Sequence, residues 1–296
     1  MTSAIQTFSL AKHFRRVDAL QDLSLNVPEG AIYALVGPNG AGKTTAIKIL
    51  MNIIRATSGR ADVLRLDSTQ IAGKHLEPIG YVSENQELPE WMTVELYLGY
   101  LRPFYSTWDR ALESELVKQF DLPLNRKLKH LSRGMKMKAA LASSLAYHPK
   151  LIVLDEPFTG LDPLVRDELI QGLLDRAEES TIFVSSHDLG EIETFASHVG
   201  YLESGRLRFS EELNTLVARF REVELTFDTA SALPAQAPAT WMQLNQASAV
   251  IRFIESSYDA ERTPAEIQKV FGAPRNVSFN PMSLRSIFLA MAKAGR

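Results

Sequence analysis

A glycine-rich run that directly follows an apolar strand restricts the possible folds of this chain more than any other feature. The run consists of Gly37, Pro38, Asn39, Gly40, Ala41, Gly42, Lys43 and Thr44. It matches the pattern G-x-x-x-x-G-K-[ST], which requires a strand before it and a helix after it. Residues 31–36 are short and apolar, as in a buried strand, and residues 45–51 have a helical pattern. The sequence therefore predicts a strand, a phosphate-binding loop and a helix, in that order.

Each part of this predicted loop has a chemical reason. Glycines allow the backbone to bend closely around phosphates, so that its N–H groups and the helix N-terminus face the oxygens. In such a loop Lys43 holds the β- and γ-phosphates and the Thr44 hydroxyl ligates Mg²⁺, while the adjacent Thr45 is also expected to contact the nucleotide. The alternative is a glycine-rich turn that binds nothing, and the complete motif in this context argues against it. We therefore expect a nucleoside triphosphate and Mg²⁺ as ligands.

Short apolar runs rich in β-branched residues recur along the first two thirds of the chain. They lie at residues 31–36, 79–83, 151–155 and 181–185. Such runs are typical of strands buried on both faces, as in a parallel sheet covered by helices. Residues 89–147 have a mostly helical pattern, which indicates a helical lobe inserted into the sheet domain. The predicted fold class is α/β, with a mostly parallel core sheet.

Two carboxylates follow one of these runs. Asp155 ends the apolar run at residues 151–155, and Glu156 comes next. A phosphate loop needs a carboxylate at the end of a neighbouring strand to complete the Mg²⁺ shell, and Asp155 has that position. Glu156, just past the strand, is placed to orient or deprotonate an attacking water. A solvated strand end is the alternative, and the upstream phosphate loop favours the catalytic role.

Composition excludes several other kinds of site. The chain has 296 residues, a net charge of -3 and no cysteine. The lack of cysteine rules out disulfides, Cys-ligated zinc, iron–sulfur clusters and thiol nucleophiles. No apolar run approaches the roughly 18–20 residues that cross a bilayer, and the N-terminus lacks a signal-peptide pattern. The net charge argues against general binding of nucleic acid, so no specific nucleic-acid binding is expected.

Three further motifs follow in register. Residues 131–135 read Leu-Ser-Arg-Gly-Met, residues 159–162 read Thr-Gly-Leu-Asp, and His187 ends an apolar strand. With the phosphate loop and the two carboxylates, these motifs resemble the nucleotide-binding subunit of ABC transporters. The signature of that family usually reads Leu-Ser-Gly-Gly-Gln, so the chain departs from it at Arg133 and Met135. The resemblance covers about residues 5–210 and implies a P-loop NTPase domain of the ABC ATPase type.

The resemblance also implies roles for individual residues. Ser132 and Gly134 would contact the γ-phosphate of a nucleotide bound to a second subunit, and Asp162 would lie in the loop that crosses the interface. His187 would contact the γ-phosphate within its own subunit. Phe14 lies in the region of the aromatic residue that stacks on adenine, so ATP is the expected nucleotide. Structural roles are the alternatives, with Ser132 as a helix N-cap and Phe14 as a core residue.

Glu84 is the clearest departure from the family pattern, because it occupies the position of the usual Gln. Its carboxylate can approach Mg²⁺ directly or through water, so Glu84 is a predicted nucleotide and metal contact. An extra negative charge near phosphates is unfavourable unless the metal screens it. Gln86 would replace the usual Gln only if the loop shifts. The sequence does not decide between these alternatives.

The change in pattern after residue 212 predicts two domains. We expect an ABC nucleotide-binding domain over residues 1–212, with its helical lobe at about 89–147, and an accessory α/β domain over residues 213–296. Residues 223–227, 250–254 and 276–279 have strand patterns, whereas residues 264–271 have the pattern of a helix. The chain ending is similar to the tails of ATPase subunits in bacterial export-type ABC systems.

The resemblance implies an ATP-hydrolysing subunit that powers an ABC transporter, with exporters as the matching branch. ATP would close a dimer with an identical or related ATPase subunit, and separate transmembrane permease subunits would carry the substrate. The expected location is the cytoplasm, peripheral on the inner face of the cell membrane. The alternative is a soluble ABC ATPase that acts on ribosomes or nucleic acid. Relatives of that kind usually have duplicated motifs, coiled coils or zinc modules, which this sequence does not show.

Overall fold

Buried apolar strands form a six-stranded sheet. The computed structural model describes residues 2–229, 232–234 and 236–294, and the chain divides into the units Met1–Ser210 and Glu211–Arg296. The sheet has the order β11 (Arg206–Glu212), β10 (His198–Glu203), β4 (Ile32–Val36), β9 (Thr181–Ser186), β8 (Leu151–Asp155) and β7 (Ile79–Val82). The pairs β10–β4, β4–β9, β9–β8 and β8–β7 are parallel. The predicted mostly parallel α/β sheet is confirmed.

A second sheet in the first unit was not expected from the sequence. It contains β1 (Ser3–Phe14), β2 (Val17–Leu23), β3 (Asn26–Pro28), β5 (Ser58–Val63) and β6 (Leu66–Asp67). The strand β1 pairs antiparallel with β2, β3 and β5, and register shifts interrupt all three pairings. Because a register shift breaks the alternation of buried and exposed residues, the usual signal of a strand is weak here.

The first unit has six α-helices within its described residues, and side chains cap the N-termini of several of them. They are α1 (Lys43–Leu50), α2 (Val94–Leu101), α3 (Arg110–Gln119), α4 (Arg133–Leu145), α5 (Pro163–Leu174) and α6 (Leu189–Ile192), with 3-10 turns at Ser68–Gln70, Gly73–Leu76, Arg102–Phe104 and Leu128–His130. The side chains of Thr93, Asp109 and Ser132 accept hydrogen bonds from first-turn N–H groups of α2, α3 and α4. Such caps satisfy backbone donors that have no partner within the helix. In the part of the chain that is described, no helix combines the length and apolarity of a membrane span.

The second unit has an antiparallel sheet of its own. It contains α7 (Leu213–Arg219), β12 (Arg221–Thr226), β13 (Trp241–Ala247), β14 (Val250–Glu255), α8 (Arg262–Phe271), β15 (Asn276–Pro281) and α9 (Leu284–Ala294), with the strand order β13, β14, β12, β15. One core joins Val223, Leu225, Trp241, Ile251, Phe253 and Ile267. The strand β13 was not predicted, because a register shift between Met242 and Asn245 interrupts its alternation. Part of the segment 227–240, which joins β12 to β13, lies outside the described residues.

Candidate nucleotide site at the ends of the parallel strands

A cleft of about 720 Å³ opens where β4, β8 and β9 end. The carboxyl ends of parallel strands meet at one edge of a sheet, so loops that are distant in sequence come together there. The lining residues are Phe14, Val17, Ala19, Asn39, Gly40, Ala41, Gly42, Lys43, Thr44, Thr45, Glu84, Glu156, Thr159 and His187. Most of the predicted site residues therefore face one cleft. Gly37 and Pro38 precede the lining residues in the loop, and Asp155 contacts the lining residue Thr44. Ser132, Gly134 and Asp162 lie elsewhere.

The loop between β4 and α1 depends on its glycines. A side chain at Gly37 would place its Cβ 2.1 Å from the carbonyl oxygen of Leu202, so only glycine fits against that backbone. Gly42 has a φ of 110°, which favours glycine, and it immediately precedes α1. Lys43 is only 5% exposed, and its Nζ donates to the carbonyl oxygen of Gly37 over 2.7 Å. The loop therefore holds a buried ammonium group beside backbone N–H groups at a helix N-terminus.

Asp155 is held in place by two hydroxyl groups. It ends β8, is 2% exposed, and its Oδ1 accepts from Thr44 Oγ1 over 3.1 Å. The same oxygen accepts from Ser185 Oγ over 2.7 Å. Thr44 and Asp155 therefore present a hydroxyl and a carboxylate side by side at the back of the cleft. Oxygen donors of this kind suit Mg²⁺, which usually binds one or two carboxylates together with phosphate oxygens and water.

Glu156 is the most densely contacted carboxylate of the site. It is 7% exposed, and its Oε2 accepts from His187 Nδ1 over 2.8 Å and from Thr159 Oγ1 over 3.0 Å. An ionised carboxylate only accepts, so Nδ1 of His187 carries the hydrogen and Nε2 is the other nitrogen available to a ligand. Lys43 Nζ lies 3.0 Å from Oε1, so the loop ammonium and this carboxylate form an ion pair.

The surroundings of Glu156 favour its ionised form. Burial raises the pKa of this carboxyl group, because desolvation disfavours charge. The hydrogen bond from His187, the positive charge of Lys43 and the hydrogen bond from Thr159 lower the pKa by more than burial raises it. The net result is a pKa below the ordinary value of a glutamic acid. Glu156 is therefore a carboxylate at neutral pH, which is the state a proton acceptor requires.

Phe14 and Glu84 complete the cleft. Phe14 ends β1, lines the cleft with 45% of its surface exposed, and has Lys12 Nζ 5.0 Å from its ring centroid. Glu84 lines the cleft in the predicted position. The side chain of Gln86 instead turns back, because its Oε1 accepts from Ser83 N over 3.1 Å and from Ser83 Oγ over 3.2 Å. Of the two candidates for the usual Gln position, Glu84 is the one that faces the cleft.

Comparisons with known proteins agree with this geometry. The ABC transporter family profile matches residues 20–159. The ABC transporter ATP-binding protein YtrB of Bacillus subtilis (strain 168) is 31% identical over 230 residues, which cover 76% of this chain and 77% of YtrB. This chain belongs to the ABC transporter ATP-binding proteins. The predictions of a P-loop NTPase fold of the ABC type, of an ATPase and of a transporter ATP-binding subunit are thereby confirmed.

Two further comparisons extend the match. The daunorubicin/doxorubicin resistance ATP-binding protein DrrA of Streptomyces peucetius is 29% identical over 309 residues, which cover 98% of this ABC ATPase and 92% of DrrA. A solved ATP-binding subunit of an ABC transporter is 26% identical, with a TM-score of 0.66, and the match covers 73% of this chain and 92% of that one. The match with DrrA therefore includes the second unit.

The signature residues of this ABC ATPase lie outside the cleft. Ser132 caps α4, because its Oγ accepts from Met135 N over 3.2 Å. Gly134 packs so closely that a Cβ there would lie 2.8 Å from Cγ1 of Val165. Asp162 caps α5 by accepting from Val165 N over 3.1 Å. Each residue thus has a structural contact, and the nucleotide contacts expected across a dimer stay a prediction.

Thr159 and Ser185 belong to the site although sequence reasoning did not select them. Thr159 donates to Glu156 and lines the cleft. It is the first residue of the motif at 159–162, in which sequence reasoning assigned a role to Asp162 alone. Ser185 is completely buried in β9 and contacts both Asp155 and the backbone of Glu156. A polar residue within an apolar strand, two positions before His187, was the available signal for Ser185.

Proposed function

We propose that this ABC ATPase powers export across a membrane through separate membrane subunits. The observation that carries the proposal is the convergence of Lys43, Glu156 and His187 on one cleft, with Glu156 in contact with both of the other side chains. This arrangement suits the hydrolysis of a bound triphosphate. The similarity to DrrA, a daunorubicin/doxorubicin resistance protein that matches nearly the full chain, supports an exporter. That likeness also favours a transporter over the alternative of an ATPase that acts on ribosomes or nucleic acid.

The cleft assigns a step to each side chain. Lys43 would leave Glu156 and bind the β- and γ-phosphates, because a phosphate offers the ammonium group more negative charge than one carboxylate does. Thr44 and Asp155 would hold Mg²⁺, and Glu84, which lines the same cleft, would contribute directly or through water. When bound, the metal supplies positive charge that stabilises the phosphate oxygens.

Glu156 and His187 would act on the reacting water and the γ-phosphate. Release from Lys43 leaves Glu156 Oε1 free to accept a hydrogen bond from water, while His187 and Thr159 still hold Oε2. The water would then be oriented and deprotonated by the ionised carboxylate. His187 Nε2 would contact the γ-phosphate from the same side. Phe14 would stack on the adenine ring at the open end of the cleft.

A second subunit would complete the site. The loop around Lys43 would cover only part of the γ-phosphate, and Ser132 and Gly134 lie at the start of α4, outside the cleft. Donors from the partner's α4 would bind the triphosphate better than the diphosphate, so ATP would favour a closed dimer and hydrolysis would weaken it. The partner would be a second copy or a related chain, with Asp162 in the loop between them.

The second unit is proposed as an accessory domain that supports this dimer. The predicted boundary near residue 212 and the observed division at Ser210 and Glu211 lie close together. A chain ending at residue 215 keeps the whole first unit, so it allows the two roles to be separated. It should dimerise more weakly with Mg²⁺ and ATP, as measured by sedimentation. Unchanged dimer affinity would remove this role from the second unit.

Affinity purification from membranes tests the transporter proposal. A tagged chain expressed in its own cells is extracted with mild detergent, and the bound proteins are identified by mass spectrometry. We expect an integral membrane protein in stable association, with the ATPase on the cytoplasmic side of the membrane. A nuclease-treated sample serves as the control. Recovery of ribosomes or nucleic acid alone would contradict the proposal and favour the alternative function.

A further inference from the structure

A buried serine joins the two carboxylate positions of the cleft. Ser185 lies on β9, paired in register with Asp155 on β8, and its side chain is completely buried. Its Oγ donates to Asp155 Oδ1 over 2.7 Å and accepts from the backbone N–H of Glu156 over 2.9 Å. The Ser185 hydroxyl group therefore donates to Asp155 and accepts from Glu156, the next residue along the chain.

The donated hydrogen bond fixes the direction of the Asp155 carboxylate. Both hydroxyl donors, Ser185 and Thr44, bind the same oxygen, Oδ1. Oδ2 receives no hydrogen bond from the part of the chain that the structure describes. A carboxylate held through one oxygen cannot rotate freely, so its second oxygen keeps a constant orientation. If Thr44 turned away to ligate a metal, Ser185 would remain as the hydroxyl that holds Asp155.

The accepted hydrogen bond fixes the backbone of Glu156. This residue has a φ of 50°, a left-handed conformation that is uncommon for any residue other than glycine. Such a conformation persists only where its surroundings hold it. The bond from Glu156 N to Ser185 Oγ holds the N–H side of this residue at the end of β8, and its carbonyl oxygen accepts from Thr159 N over 3.3 Å. It directs the side chain out of the strand toward Lys43, His187 and Thr159.

We propose that Ser185 is a positioning residue that holds Asp155 toward the metal and Glu156 toward the reacting water. Ser185 does not line the cleft and would touch neither nucleotide nor metal. The inference rests on the proposed roles of Asp155 and Glu156. Loss of the Ser185 hydroxyl should therefore weaken metal binding and turnover, while the loop around Lys43 still binds the phosphates.

The same region offers a matched control. Ser180 is also buried, precedes β9 at its opposite end, and donates through Oγ to the carbonyl oxygen of Pro149 over 2.5 Å. Replacement of Ser180 by alanine removes a buried hydroxyl of the same kind, far from the carboxylates. The variants Ser185→Ala and Ser180→Ala should lower the melting temperature by similar amounts. A purely structural role would make their other properties alike as well.

The test compares the full-length wild type with Ser185→Ala, Ser185→Thr and Ser180→Ala. Mn²⁺ affinity is measured by electron paramagnetic resonance with a non-hydrolysable ATP analogue, nucleotide affinity in EDTA by fluorescence, and kcat at saturating ATP. For Ser185→Ala we expect Mn²⁺ affinity to fall about tenfold and kcat about 10–100-fold, as for the loss of other groups that orient a metal ligand. Nucleotide affinity in EDTA should stay within about twofold, and Ser185→Thr should restore both losses because it keeps the hydroxyl.

Wild-type Mn²⁺ affinity and kcat in Ser185→Ala, or equal losses in Ser180→Ala, would overturn the inference alone. A wild-type chain that binds no Mn²⁺ with the nucleotide analogue would overturn the proposed metal site, and the inference with it. If Ser185→Ala does not fold, Ser185→Cys carries the same test, since the thiol is only a weak donor. The same losses are then expected, and wild-type values would again contradict the positioning role.

Discussion

The two units of this chain each bury a glutamate at the end of a strand, and of these two only Glu156 lines the cleft. Glu156 follows β8 and contacts Lys43, His187 and Thr159 at the wall of a cleft. Glu255 ends β14 and is completely buried, and within the described ranges it accepts from Thr240 Oγ1 over 3.3 Å and from Ser257 N over 2.7 Å. Burial and hydrogen bonds alone therefore do not distinguish a functional carboxylate.

Sheet topology explains the difference. In the first unit β4, β9 and β8 are parallel neighbours, so the loops that carry Lys43, His187 and Glu156 leave the sheet at the same edge. In the second unit adjacent strands are antiparallel, and Glu255 lies beside the first residues of its neighbours, Arg221 and Trp241. Only the parallel arrangement brings the carboxyl ends of several neighbouring strands to the same edge of the sheet.

Loss of Lys43 should have the largest effect on nucleotide binding. The variant Lys43→Ala removes the buried ammonium group that faces the phosphates, so ATP affinity should fall about 100-fold, corresponding to the loss of one or two charge-assisted hydrogen bonds. Titration calorimetry measures this directly. Lys150→Ala, which removes an exposed lysine outside the cleft, is the control and should bind as the wild type does. Wild-type affinity in Lys43→Ala would place the nucleotide elsewhere.

Replacement of Glu255 should affect stability and not chemistry. The variant Glu255→Gln disturbs two buried hydrogen bonds in the second unit, which should lower the free energy of unfolding by about 1–2 kcal/mol. Urea unfolding followed by circular dichroism measures the loss. Hydrolysis per folded molecule should be unchanged. A chain with normal stability and lost hydrolysis would show that this glutamate has a catalytic function that its contacts do not indicate.

The smallest predicted effect concerns the pH dependence of hydrolysis. Thr159 donates to the ionised form of Glu156 and so helps to keep the pKa of that carboxyl group low. In Thr159→Val the pKa should rise, so the fall in kcat on acidification should begin at a higher pH, by at most about one pH unit. Thr159→Ser keeps the donor and should have the wild-type profile. Identical profiles for valine and threonine would exclude this contribution.

The sequence predicts the first unit well where a local pattern coincides with the final structure. Residues 31–51 fold as a strand, a loop and a helix, and Gly37 and Gly42 of the loop approach backbone oxygens so closely that no other residue fits. The parallel strands are also predictable, since burial on both faces requires continuous apolar runs. Helix α1 begins at Lys43, two residues earlier than the pattern indicated, because Gly42 itself ends the loop.

The remainder depends on contacts between distant residues. In the sequence, Ser185 is only a polar residue in an apolar strand. Its contact with Asp155 arises because β9 pairs with β8. Strands β1 and β13 escape prediction because register shifts, which arise from pairing, disturb their alternation. The orientation of Gln86 toward Ser83 is likewise a tertiary feature that spacing along the chain does not reveal.

The most direct test of the account is the fate of ATP bound to Glu156→Gln. Glutamine has nearly the same size but accepts a proton poorly, so the nucleotide should bind while hydrolysis slows at least about 100-fold. Labelled ATP, equimolar with the protein, and Mg²⁺ are incubated with the variant and with the wild type. The nucleotides are then recovered and separated. We predict intact ATP from Glu156→Gln and ADP from the wild type. Formation of ADP at the wild-type rate in the variant would contradict the assignment of Glu156 as the proton acceptor.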